Sequence, residues 1–204
     1  MTRPDLAPAA WAVADLLHDV RDEHLAGPTP CPDYTVAGMI THIHGLAQVF
    51  TATARKDLGP LTGGQPQANP LPEDWRESTP EYLNALGLAW REPEAWTGTT
   101  EAGGVTLPGD VAGLVALNEV VVHGWDLARA TGQDFDPGDE ASAAVHAFLA
   151  ESRADGAPSP IFGPVVAVPE TAPLLHRAIG LSGRHPHWPD VPGQTTPAAT
   201  AASR

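Results

Sequence analysis

The chain has 204 residues, enough for one well-buried core and too few to make two ordinary domains comfortably. Its composition is 42% hydrophobic and 18% charged, with 22 Pro and 20 Gly gathered between apolar periodic segments and at the end, a distribution that excludes disorder throughout. The net charge is −14 and Lys56 is the only lysine, so binding to a phosphate backbone is electrostatically opposed and no nucleic-acid partner is expected; the acidity serves solubility.

In chain order, Leu6, Val13, Leu16, Leu17 and Val20 recur at three- and four-residue spacing and predict a first helix over residues 5–25. The run Gly27-Pro28-Thr29-Pro30-Cys31-Pro32 stops it, because proline lacks an N–H and restricts the residue before it. A second helix follows, with Val36, Met39, Ile40, Ile43, Ala47 and Phe50 on one stripe and Thr35 or Asp33 as its cap. Residues 58–77 read as a long loop, and a third helix over 79–92 carries Tyr82, Leu83, Leu86 and Trp90. The segment 93–108 reads either as a loop or as a small hairpin. The fourth helix, over 110–131, is the most apolar, with Leu114, Leu117, Val121, Trp125 and Ala128 in its stripe and Gly132 as its stop. A fifth covers 138–153 with Val145, Phe148 and Leu149. Ile161 to Val168 reads as extended, and a last short helix carries Leu174, Leu175, Ala178 and Ile179. Residues 1–188 thus form one all-α domain, a helical bundle with a short extra C-terminal helical and extended segment, and 189–204 is expected to be a disordered tail.

The single cysteine, Cys31, rules out an internal disulfide and any multi-cysteine zinc site, and it fits a reducing compartment. The first residues lack the uninterrupted apolar core of a signal peptide. The least polar stretch, Val111 to Trp125, is broken by Asn118, Glu119 and His123 and reads as too short and too polar to span a bilayer. A cytoplasmic protein with no membrane partner is the expectation.

Chemistry is expected where polar groups interrupt the apolar surfaces. Glu119 and His123, four residues apart, project from one face of the fourth helix among Val115, Val120, Val121 and Val122. A carboxylate alone there would be expensive, and a divalent ion relieves it by binding the carboxylate and a neutral imidazole together. The plain alternative is a Glu–His hydrogen bond in a helical core. A third ligand must come from another helix, and the second offers His42 and His44 on different faces; His42, on the strip with Met39 and Leu46, is preferred. Gly45 and Gly124 directly follow candidate histidines, which fits either close approach of a ligand or ordinary helix crossing.

The residues Pro28-Thr29-Pro30-Cys31-Pro32-Asp33-Tyr34-Thr35-Val36, followed by Ile40-Thr41-His42, resemble the opening of helix two in the DinB-like superfamily. The run Asn118-Glu119-Val120-Val121-Val122-His123-Gly124-Trp125-Asp126-Leu127-Ala128 is similar to the signature of that superfamily's mycothiol-dependent maleylpyruvate isomerase-like branch, and Phe162-Gly163-Pro164 through Leu181-Ser182-Gly183-Arg184 resembles the ending of a metal-binding subgroup. The resemblance implies a DinB-like four-helix bundle with a His/Glu/His site for a divalent metal, usually zinc. His42, Glu119 and His123 match the ligand positions and His44 matches none. Three protein ligands leave a fourth position open, as in catalytic zinc sites. In the family's thiol-dependent enzymes that position accepts water or a low-molecular-weight thiol. The implied activity is S-transfer to, or thiol-dependent isomerisation of, a small electrophile, with mycothiol as cosubstrate. A thiol-independent hydrolase or lyase, or a metal-binding protein without catalysis, is the alternative. The family's best-understood isomerase carries a substantial second domain after the bundle, whose substrate groups are not expected in the residues that follow the HGWDLA motif here, so maleylpyruvate is not carried over as the substrate. The oligomeric state is left open, a homodimer being one option.

Several residues have a functional reading beside a structural one. Asp126 could orient a ligand imidazole, although capping or bridging helices is the commoner use; Trp125 reads as packing before pocket lining, and Arg129 as an outer salt bridge before an anchor for an anionic substrate. Cys31, among prolines and without an adjacent base, reads as a small buried residue in a fixed turn. His185 and His187 resemble a metal pair but are expected at the solvent surface.

Overall fold

The first apolar stripe winds into α1 (Ala7–His18), which buries Ala9, Ala10, Val13, Leu16 and Leu17. In the computed structural model, which describes residues 3–64, 70–154 and 162–190, α1 ends at His18 rather than near residue 25. Val20 still reaches the core, but from the turn beyond Asp19, and a short 3-10 turn (Asp22–His24) follows. Periodic burial outlasts the helix, which is why the stripe overstates its length.

The second helix, α2 (Val36–Arg55), starts where the Thr35 side chain accepts a hydrogen bond from the Gly38 N–H at 3.2 Å, so Thr35 and not Asp33 is the cap. The expected loop 58–77 holds a one-turn helix, α3 (Pro60–Gly63), and the beginning of α4 (Trp75–Ala89); residues 65–69 lie outside the described part. Helix α4 begins ahead of residue 79 because Trp75 is itself a buried residue, with the Arg76 guanidinium 4.1 Å over its ring.

Segment 93–108 resolves into a 3-10 turn (Pro93–Trp96) and a hairpin of β1 (Thr99–Ala102) and β2 (Val105–Pro108), antiparallel with Ala102 opposite Val105. Its two-residue turn is Gly103-Gly104, both at positive φ (59° and 77°), a conformation that glycine adopts without a Cβ clash. The hairpin is fastened to α2 by two hydroxyls: Thr100 donates to the Thr53 carbonyl at 2.7 Å, and Thr53 donates to that of Glu101 at 2.9 Å.

Helix α5 (Gly109–Thr131) runs on to Gly132, whose φ of 73° ends it. Then come α6 (Asp139–Ser152) and α7 (Leu174–Leu181), and between them the described residues 163–169 are neither helix nor strand, Ile161 lying outside the described part. The expected tail lies outside the described residues from 191 onward.

Helices α1, α4, α2 and α5 follow one another around a four-helix bundle, and α6 packs against α5 with α7 against α6. This arrangement covers α5 from both sides. Every residue from Val120 to Ala128 is buried, so the helix is apolar nearly all round instead of amphipathic. At 23 residues and with its mean hydropathy it is long and apolar enough to cross a membrane by length and composition, which corrects the expectation from the shorter stretch Val111 to Trp125. Most of it nevertheless lies inside the bundle, the place of a core helix. A charged group on α5 near the bundle axis must therefore find its partners inside the protein.

Candidate metal centre

Neighbouring helices α2 and α5 bring the three expected groups together. His42 reaches across from α2, and Glu119 and His123 stand one turn apart on α5. The His42 Nε2 lies 3.3 Å, and the His123 Nε2 3.2 Å, from the same Glu119 oxygen, Oε2. The two imidazoles meet edge to face with centroids 4.7 Å apart. One donor atom from each residue falls within 4.8 Å of the others, so the group could hold a metal ion.

The distances bear on what the group is built for. Charge-assisted N–H···O⁻ hydrogen bonds close to roughly 2.7–2.9 Å. Two donors each about 2.0–2.1 Å from a zinc ion and separated by the tetrahedral angle stand roughly 3.3 Å apart. The observed 3.3 and 3.2 Å match the edge of such a tetrahedron better than they match two ion-pair bonds. Exposure is uneven: the His42 and Glu119 side chains keep 19% and 20% of their surface open, against 10% for His123. One side of the group therefore faces solvent.

Electrostatics follow from this placement. Burial alone would push the Glu119 carboxyl up, but hydrogen bonding with His123 and His42, and their positive fields, hold it well below the usual carboxylate range. Burial opposes charge on His123, yet hydrogen bonds to Asp126 and Glu119 outweigh it and raise the imidazole to about 9. Without an ion, His123 thus keeps a proton that a cation would displace.

Asp126, fully buried one turn beyond His123, accepts a hydrogen bond from the His123 Nδ1–H at 3.0 Å. An ionised carboxylate only accepts, so this contact keeps a proton on Nδ1 and leaves Nε2, the nitrogen facing Glu119, as the one that a cation would deprotonate and bind. Asp126 also bridges to the C-terminal segment, where Arg184 binds both its oxygens. The two readings of Asp126 are therefore both met by one side chain. Tyr34, from the turn before α2, stacks on His42 with centroids 5.1 Å apart and sets its hydroxyl 3.4 Å from the His42 Nδ1.

The remaining candidates lie elsewhere. His44 points from α2 toward α4, 3.0 Å from the Thr79 hydroxyl and edge-on to Tyr82, and is not among the three grouped residues. Trp125 is a core residue that touches a cleft shared with Arg129, His176 and His187. Among the described residues Arg129 forms no salt bridge: its Nε and Nη2 donate to the Trp188 carbonyl and tie down the C-terminal segment. Cys31 sits half-buried in a turn that Thr29 fixes, donating to the carbonyls of Cys31 and Tyr34 and accepting from the Cys31 N–H. Burial pushes its thiol up while Arg184 pulls it back down, an environment unlike that of an activated nucleophile. His185 and His187 pack beside each other near the chain end, with His187 exposed.

Sequence reasoning gave no role to Tyr34 or Arg184. Tyr34 lies in the Pro-rich motif eight residues before His42, but a tyrosine opening a helix carries no spacing signal. Arg184 is 58 residues from Asp126 in sequence, so only the fold could pair them.

Fold and site together define a class: a helical-bundle protein with a two-histidine, one-carboxylate group fit for a divalent cation between adjacent helices. More particularly, the chain belongs to the mycothiol maleylpyruvate isomerase N-terminal domain family, which matches residues 6–128, and hence to the DinB-like superfamily. The match takes in His42, Glu119, His123 and Asp126, and stops short of Arg184. Two uncharacterized proteins of Mycobacterium tuberculosis, from strains CDC 1551 / Oshkosh and H37Rv, are each 31% identical to it over 129 residues, 62% of this chain and 66% of their own. The chain thus spans just under two thirds of the length of these relatives. No solved structure matches it significantly.

Proposed function

We propose that this protein is a divalent-cation-dependent enzyme that uses a low-molecular-weight thiol, mycothiol, for S-transfer to a small electrophile or for its thiol-dependent isomerisation. The observation that carries this reading is the convergence of His42, Glu119 and His123, with the His42 and Glu119 side chains still partly open to solvent. Family membership supports the choice of thiol.

His42 and His123 supply neutral nitrogen donors and Glu119 the single negative charge. Asp126 keeps the His123 proton on Nδ1, away from the donor nitrogen. Tyr34 stacks on the His42 ring and limits its rotation. When bound, a zinc-like cation lowers the pKa of a coordinated thiol, so that the nucleophilic thiolate exists at neutral pH. A thiolate held there would add to one carbon of an activated alkene as the C=C π pair moves onto the activating carbonyl. Taking up the proton the thiol released would give the conjugate, whereas rotation about the new single bond and return of the pair would break the S–C bond, expelling the thiolate and leaving the isomerised alkene. The partners in this reading are a thiol and a small electrophile, with no nucleic acid or membrane, and a cytoplasmic setting keeps the thiol reduced.

The test loads the protein with Co(II), adds mycothiol, and then a panel of electrophiles. The expected result is a near-ultraviolet sulfur-to-cobalt charge-transfer band and conjugate or isomer formation, both absent in His123→Ala. Turnover without any thiol would replace this reading with a hydrolase or lyase, and metal binding with neither band nor turnover would leave a non-catalytic metal protein.

A further inference from the structure

Asp126 has no solvent-exposed surface and makes three polar contacts of 3.2 Å or less. Its Oδ2 accepts from the His123 Nδ1–H at 3.0 Å and from the Arg184 Nη2 at 3.0 Å, while its Oδ1 accepts from the Arg184 Nε at 3.2 Å. Arg184 is itself largely buried, with 10% of its side chain exposed. Its backbone N–H bonds to the Ile179 carbonyl and its Nη1 donates to the Ser182 carbonyl, so the guanidinium is held from the end of α7. This is a two-point fork on a carboxylate, a geometry that lysine cannot reproduce.

These contacts constrain the proposed centre. Among the described residues Arg184 is the one permanent cation in contact with this buried carboxylate. Without it, Asp126 would lose two of its three hydrogen bonds and the grip that aims its Oδ2 at the His123 Nδ1–H.

We propose that Arg184 is a positioning residue of the metal centre: by gripping Asp126 at both oxygens it fixes the His123 ring and its Nδ1–H, so that the segment following α7 completes a site whose three ligand residues all lie on α2 and α5. This rests on the metal reading above, and the test separates the two. The variants are Arg184→Gln, which removes charge and fork, and Arg184→Lys, which keeps charge and loses the fork. Each is checked for helicity and urea midpoint, for Co(II) affinity and visible spectrum, and, free of metal, for the downfield imidazole Nδ1–H resonance of His123, assigned as the one lost in His123→Gln.

Arg184→Gln is expected to weaken Co(II) binding by about 10- to 100-fold, the usual effect of losing such an outer partner. It is also expected to alter the ligand-field band and broaden the Nδ1–H resonance, with Arg184→Lys intermediate in all three while remaining folded. Should Arg184→Gln fail to fold, the comparison rests on Arg184→Lys alone. Unchanged Co(II) affinity, band and Nδ1–H resonance in the folded variants, with only a lower urea midpoint, would overturn the proposal and leave Arg184 a purely structural tie. If the wild-type protein itself binds no Co(II), the metal reading fails, and the resonance still decides whether Arg184 fixes His123.

Discussion

Two glycines that each follow a candidate ligand should respond to alanine in opposite directions. Gly45, after His44 on α2, has among the described residues no heavy atom outside its own helix within 4 Å of where a Cβ would stand. Gly45→Ala therefore gains helix propensity, roughly 1 kcal/mol, against no packing cost. Gly124, after His123 on α5, would place its Cβ 2.5 Å from the Val13 Cγ2 and 2.7 Å from the Phe135 Cζ. Val13 is 1% exposed and β-branched, with essentially one χ1 rotamer open to it in α1, so it cannot swing aside and the helices must part. Overpacking of this kind costs about 1–3 kcal/mol, which outweighs the same propensity gain of roughly 1 kcal/mol. Urea denaturation of the metal-free protein measures both. Gly45→Ala is expected to raise the midpoint and Gly124→Ala to lower it. A stabilised Gly124→Ala would refute the close α1–α5 crossing behind His123, and a destabilised Gly45→Ala would mean that something else needs that open space.

The other outcomes concern the site. His42→Ala is expected to abolish divalent-ion binding, while His44→Ala, two residues on, keeps it and loses only the Thr79 and Tyr82 contacts, a cost of about 1 kcal/mol in urea; equal loss of binding in both would contradict the face assignment. In metal-free protein, His123 stands at about 9 against 6.5 unfolded, so its contribution is fully present below pH 6.5 and fades as pH rises toward 9. Glu119, held below its ordinary 4.5, contributes above that value and loses its contribution as pH falls. The urea midpoint should accordingly drop between pH 6.5 and 9, and saturating Zn(II) should remove the drop by replacing the proton; a midpoint that rises across this window would contradict the buried His123 charge.

The features legible in the sequence obey local rules. Glu119 and His123 stand out because their spacing puts them on one helix face amid valines, and helical geometry separates His42 from His44. The stop of α5 at Gly132 and the cap at Thr35 are legible for the same reason, each a short-range hydrogen-bonding or φ requirement. The hairpin stays ambiguous in the sequence although Gly103-Gly104 carries its turn signal, because four-residue strands give too little alternation to recognise. The early start of α4 is hidden because Trp75 becomes a core residue only through tertiary packing. The role of Arg184 is hidden although the residue closes the run Leu181-Ser182-Gly183-Arg184, because 58 residues separate it from Asp126 and only the fold sets one on the other.

The central claim is that His42, Glu119 and His123 share one divalent cation, and calorimetric titration of chelator-treated protein with Zn(II) tests it most directly. Wild-type protein should bind one equivalent, and Glu119→Gln, nearly the same in shape but without the charge, should lose most of that affinity while remaining folded. Absence of saturable binding in the wild type, or equal binding in the variant, would contradict the claim.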